Sequence, residues 1–336
     1  MAGLLFLSGL LRVASKNRLG RLRGRLYNCR LNGGVAMSLT REQKLGGIFA
    51  ASAYTLWGIA PLYFKQIDYI PAPEILIHRI VWSFLLLLLI IVLLRQGRET
   101  LALFAKPKLL CWLLLSSLLL GGNWLLFIWA VNNAHMLDAS LGYYINPLLN
   151  VLLGMLFLGE RLRRLQWLAV SLAAIGVMWQ IISYGAVPWI ALALAGSFAI
   201  YGLLRKKLAV DAIKGLFFES LLLLPVALWY WWAFADSAAA NLWQNSLGLN
   251  VYLMAAGLVT TVPLLCFIAG ARRLQLSTMG FFQYIGPTLM FIFGVWLYQE
   301  PFAAERLFTF GLIWLALCCY SVDAWLASRA RRNRQL

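Results

Sequence analysis

Three side chains capable of charge chemistry fall close together in a strongly apolar stretch: Glu74, His78 and Arg79. Glu74 and His78 are four residues apart and share a helix face, whereas Arg79 is turned about 100° from His78. A lone charge in hydrocarbon is expensive, so such groups face a cavity, pair with one another or reach for the interface. Arg79 could draw in the carboxylate of a small molecule. The plainer alternative is a contact of Glu74 with His78 or Arg79 that fixes helix depth. Glu219 is a further acid in apolar surroundings, between Phe217-Phe218 and the run Leu221 to Leu224. A carboxylate partly withdrawn from water there could exchange a proton, which makes Glu74, His78 and Glu219 the proton-coupling candidates, with anchoring at the interface the favoured alternative for Glu219. The helix that begins near Glu219 corresponds to the one that begins near Glu74, an arrangement that would put acids near opposite mouths of a shared passage.

Uncharged residues offer a second set of contacts. Asn146 and Gln283 interrupt apolar runs that also contain Pro147 and Pro287, and they are the better candidates for a cavity wall. Proline removes an intrahelical donor, so both runs are expected to bend or unwind locally; backbone groups freed there could bind a solute, and the alternative is that the paired kinks only shape packing. Gly154 and Gly294 follow the prolines at equal distance and complete the gating set. Trp57, Trp124, Tyr144, Phe282 and Tyr284 could shape an apolar cavity, although Trp and Tyr also gather at membrane interfaces. Asn132, Asn133, His135 and Asp138 read as a capped turn, and Glu160 and Glu300 as helix-boundary acids.

Other chemistries lack their parts. The chain holds two histidines and five cysteines with no metal-ligand spacing, and no glycine-rich phosphate loop follows a strand-like segment. No metal or cofactor is expected. The formal net charge of +17 is distributed between apolar runs and at the ends, which argues against a nucleic-acid surface.

The elements that position these residues follow from composition. Of 336 residues, 62% are hydrophobic and 12% charged, with a mean hydropathy of +0.78, so most of the exterior must face lipid. Ten apolar segments are expected, at 45–64, 75–94, 109–130, 139–158, 164–182, 187–204, 216–235, 249–270, 278–297 and 305–326. Each is close to the roughly 20 residues a helix needs to cross the hydrocarbon, and backbone groups in lipid must satisfy one another within the helix. The fold class is thus an all-α polytopic membrane protein.

Basic residues set the orientation. Arg95, Arg98, Lys106 and Lys108; Arg161, Arg163 and Arg164; Arg205, Lys206, Lys207 and Lys214; and Arg272 and Arg273 all fall in alternate connections, whereas the opposite side has Lys65 and Arg306. Both termini are expected in the cytoplasm of a bacterial inner-membrane protein. Residues 1–36 carry seven basic residues and no acidic one, after a short apolar start. That order is wrong for a signal peptide, and translation from Met37 is the favoured account of this segment, with a membrane-surface helix the alternative.

The chain also resembles itself. Tyr144-Ile145-Asn146-Pro147 matches Tyr284-Ile285-Gly286-Pro287 at an offset of 140, which also aligns Gly154 with Gly294 and Glu160 with Glu300. Five helices per half is an odd number, so the halves at 43–182 and 183–326, between tails 1–42 and 327–336, must be inverted relative to one another. A site between inverted halves has two related arrangements, one open to each face, which is transport architecture.

In AYTLWGIAPLYFK (53–65), EILIHRIVWSF (74–84), GGNWLLFIWAVNN (121–133), ASLGYYINPLLNVLLGMLFLGERL (139–162) and LSTMGFFQYIGPTLMF (276–291), the sequence resembles the RarD-type permeases of the EamA group in the drug/metabolite transporter superfamily. The resemblance covers roughly 43–325 and implies ten membrane helices, an inverted five-helix duplication and movement of small metabolites, amino acids or related compounds through a central cavity. The implied partners are a small-molecule substrate, membrane lipids and protons; no nucleic acid is expected, and the oligomeric state is open. Two other classes compete: a membrane enzyme acting on lipid-linked material, for which His78 lacks a nucleophile or metal partner, and a noncatalytic assembly protein.

Overall fold

The computed structural model describes residues 34–67, 69–132, 136–185, 187–297 and 304–333. Residues 1–33, Asn133, His135, Glu300, Pro301 and Arg334 lie outside the described residues, as do the side-chain surroundings of Asn132, Asp138, Gly294 and Arg306.

Apolar runs punctuated by proline, glycine and short polar turns become helices. In order they are α1 (Gly34–Phe64), α2 (Ala72–Leu93), α3 (Pro107–Asn132), α4 (Met136–Leu158), α5 (Arg164–Tyr184), α6 (Trp189–Lys207), α7 (Ala212–Phe234), α8 (Leu247–Ala271), α9 (Leu276–Gln283), α10 (Ile285–Trp296) and α11 (Ala304–Asn333). No strand occurs among the described residues. Among the described residues eight helices, α1 to α8, are long and apolar enough to cross a membrane, and α11 contains a shorter apolar stretch, Leu307–Asp323. Local chemistry marks the ends. The Asp211 carboxylate accepts from the Ile213 N–H at 3.1 Å to start α7, Ser246 caps α8 through the Leu249 N–H at 3.2 Å, and Gly185 ends α5 in the left-handed region at φ 74°.

The stretch expected as a single segment at 278–297 is two helices meeting at Tyr284. Pro287 supplies no N–H to the Gln283 carbonyl, and the Tyr284 N–H turns back to Phe281 at 3.3 Å, a tighter turn than an α-helix makes. Pro147, its counterpart, sits inside the continuous α4.

Helices pack in a defined set of pairs. α1 lies against α8 and α10, α2 against α7 and α8, α3 against α6 and α7, α4 against α6 and α9, and α5 against α11. One aromatic core joins Tyr54, Trp57, Phe198, Tyr201 and Phe267; a second joins Tyr144, Phe281, Tyr284, Phe310 and Tyr320. Outward faces expose Leu118, Trp167, Ile175, Val226 and Trp229, a surface suited to lipid rather than water.

Close crossings depend on small residues. A Cβ built on Gly257 would lie 2.5 Å from the backbone carbon of Trp82, so α2 and α8 touch where only glycine fits. Gly257→Ala is expected to force these helices apart at a cost of about 1–3 kcal/mol, seen as a lower thermal unfolding midpoint in detergent; an unchanged midpoint would contradict this packing. At the helix ends, the Glu160 carboxylate accepts from the Leu276 and Ser277 N–H groups at 2.6 and 3.0 Å and caps α9, while Lys206 of α6 lies 3.6 Å away. Arg163 donates through Nε to both Asp323 oxygens, at 2.8 and 3.1 Å, joining the start of α5 to α11.

Candidate functional site

A narrow cavity opens between α2, α3, α7 and α8. Its polar wall comprises Arg79 and Ser83 from α2, Glu219 and Ser220 from α7, and Thr260 and Thr261 from α8. Trp124 and Leu120 of α3, with Leu216, Leu223 and Leu264, make the rest largely apolar. A concave apolar space with a few convergent polar groups is the usual form of a small-molecule site.

Arg79 is the cationic feature of this wall. Its Nε donates to Thr260 Oγ1 at 2.8 Å, and its guanidinium lies over the Trp124 ring at 4.6 Å and the Phe64 ring at 5.5 Å. Among the described residues no carboxylate pairs with it. A guanidinium stays charged under all ordinary conditions, and its planar fork matches a carboxylate. Stacking on Trp124 sets the plane of that fork.

Glu219 lines the same cavity but is already engaged. Its carboxylate accepts from the Ser116 hydroxyl at 2.5 Å and the Tyr201 hydroxyl at 3.3 Å, and Arg205 Nη1 lies 3.6 Å away. Glu219 and Arg205 are each 1% exposed. Gly215 makes room for this arginine, because a Cβ there would collide with the guanidinium.

Residues 44–182 match the model of the EamA-like transporter family. Protein RarD of Salmonella typhi is 56% identical over 87% of this chain and 99% of its own length, and Protein RarD of Escherichia coli K12 is 54% identical over 86% and 98%. The chain is a RarD-type member of the EamA-like transporter family. It is a multi-span membrane transporter and not an enzyme, so the lipid-linked enzyme reading falls away. A solved crystal structure of 16% sequence identity matches with a TM-score of 0.63 over 84% of this chain and 99% of its own, a likeness of fold.

In this transporter the remaining acid and base of α2 contact the α7–α8 connection. Glu74 accepts from the Ser237 hydroxyl at 2.5 Å and the Ser237 N–H at 3.3 Å. His78 Nε2 donates to the Ala239 carbonyl at 2.8 Å, and its Nδ1 accepts from the Trp82 indole N–H at 3.1 Å. An indole can only donate and a carbonyl only accept, so these partners specify the neutral ring with its proton on Nε2. Among the described residues no hydrogen bond or ion pair joins Glu74 to His78 or Arg79, although Glu74 lies close enough to His78 to act on it electrostatically.

The transporter's α4 and α9 meet through a buried amide network. Asn146 donates to the Ala195 carbonyl at 2.6 Å, Asn150 donates to Asn146 at 2.9 Å, and Asn150 reaches Gln283 at 3.3 Å. The Tyr284 hydroxyl donates to the Tyr144 carbonyl at 3.3 Å. A Cβ on Gly280 would lie 2.7 Å from the Pro147 oxygen, so these helices cross in close contact there. Pro287 is buried in the first turn of α10, and Gly154 sits under the Glu160 carboxylate. Trp57 and Phe282 pack in the first aromatic core. Of the substrate-contact candidates, Arg79 and Trp124 therefore line the described cavity. Ser83, Ser220, Thr260 and Thr261 were missed, because a membrane-helix hydroxyl ordinarily bonds the preceding turn and carries little signal in sequence.

Proposed function

We propose that this transporter is a secondary carrier of the bacterial inner membrane. It exports small metabolites, such as amino acids or related compounds, by alternating access between two inverted five-helix units. The observation that carries this reading is Arg79, a cation with no carboxylate partner among the described residues, in a cavity built by helices from both units. Exchanging α1 to α5 with α6, α7, α8, α9–α10 and α11 in order turns each extensive pairing into another of the set: α1–α8 becomes α6–α3, and α2–α8 becomes α7–α3. The 140-residue offset also sets Arg79 against Glu219 and Glu74 against Lys214. Equivalent positions on the touching helices α2 and α7 thus bring opposite charges to one cavity. On this reading both termini are cytoplasmic, and the pieces α9 and α10 supply a joint for rocking one unit against the other.

Purified protein in liposomes is expected to move members of a metabolite panel, with cysteine labels in the 95–108 and 205–214 connections reacting from one face. Labels on opposite faces would overturn the inverted arrangement, and no flux from any compound would overturn the carrier. Proton exchange at Glu219 is a second reading, favoured by its place on the cavity wall. A pH profile of flux that is unchanged in Glu219→Gln at normal abundance would remove it.

A further inference from the structure

We propose that the cargo is an organic monoanion with an apolar body and no cationic group, and that the membrane potential drives it outward. The inference rests on the carrier reading above and narrows its substrate class from amino acids and related compounds to the related carboxylates that lack an amino group.

Arg79 commits Nε to Thr260. Beside it, Thr261 lines the same cavity, is 0% exposed and has no partner for its hydroxyl. A buried hydroxyl without a partner is costly, and a ligand acceptor placed between it and the guanidinium would satisfy both. Trp124 and the leucines leave apolar wall for the rest of the molecule. The Tyr63 and Tyr143 phenols also lie near Arg79 and are uncharged at neutral pH in the ordinary case.

A zwitterion would also need an acid for its ammonium group. Glu219 is the acid on the wall, and it already serves Arg205, Ser116 and Tyr201. Two guanidiniums and one carboxylate leave one positive charge around the cavity. A carboxylate cargo cancels that charge, whereas an amino acid leaves it uncancelled and adds an ammonium for which the described wall offers no unengaged acid. Each cycle then moves one negative charge, and an inside-negative potential expels it without a coupling ion.

Matched pairs that differ only in the amino group test this: hydrocinnamate against phenylalanine, and isocaproate against leucine. Liposomes receive a tenfold potassium gradient, high outside, with valinomycin and equal pH on both sides; protein-free liposomes give the leak. The acids are expected to accumulate inside toward about tenfold, the equilibrium ratio for one charge in that potential. The amino acids are expected to move at least about tenfold more slowly and without response to the gradient. Arg79→Gln should cut acid flux at least about thirtyfold, while Arg79→Lys, which keeps the charge, retains more of it. Amino acids moving as fast as their acids would overturn the inference and leave the carrier standing, as would acid flux that ignores the potential. Acids and amino acids that all stay still would overturn the inference, and a metabolite panel that also stays still would take the carrier with it.

Discussion

Replacing Arg79 with glutamine is expected to cut cargo flux at low concentration by roughly thirtyfold to five-thousandfold, the range set by about 2–5 kcal/mol for truncating one partner of a buried charge pair. Stability should move little. The guanidinium has no carboxylate to abandon among the described residues, and its removal strands only the Thr260 hydroxyl, which can turn to its own helix. Flux in liposomes and an unfolding midpoint in detergent, measured on one preparation, separate the two effects. Normal transport by a well-folded Arg79→Gln protein would remove the cavity's central residue from the mechanism.

Glu219→Gln is expected to behave in the opposite way. Arg205 is 1% exposed, and Nε and Nη1 have no hydrogen-bond acceptor even in the intact protein. Taking away the carboxylate leaves a buried uncompensated cation, for which about 3–5 kcal/mol of destabilisation is typical. Removing both charges, as in Arg205→Met with Glu219→Gln, should recover most of that loss, because desolvation of the pair offsets much of its attraction. The comparison of unfolding midpoints among the single and double variants measures the coupling. A Glu219→Gln protein as stable as the parent would show that the pair does not hold α6 to α7. Two residues at equivalent repeat positions on one cavity wall are thus expected to divide cargo binding from structural support.

Helix boundaries were legible where composition alone decides them. The segments expected at 75–94, 164–182 and 249–270 appear as Ala72–Leu93, Arg164–Tyr184 and Leu247–Ala271, because apolar length and terminal prolines, glycines and serines act locally. The break at Tyr284 was less legible. Pro147 and Pro287 occupy matching places in the repeat, yet one helix continues and the other divides. Neighbouring helices decide how a freed carbonyl is accommodated, and those neighbours differ.

By itself, the amino-acid sequence determined that the chain is a helical membrane protein, that it belongs among the RarD-type transporters, and that Arg79 and Glu219 are too costly in lipid to be idle. Tertiary structure decided the partners. Glu74 reaches Ser237, His78 reaches Ala239, and Asn146 and Gln283 enter the α4–α9 network through Asn150. The physical reason is that residue type sets the cost of burying a polar group, while the rotation and crossing of packed helices choose which distant group relieves it.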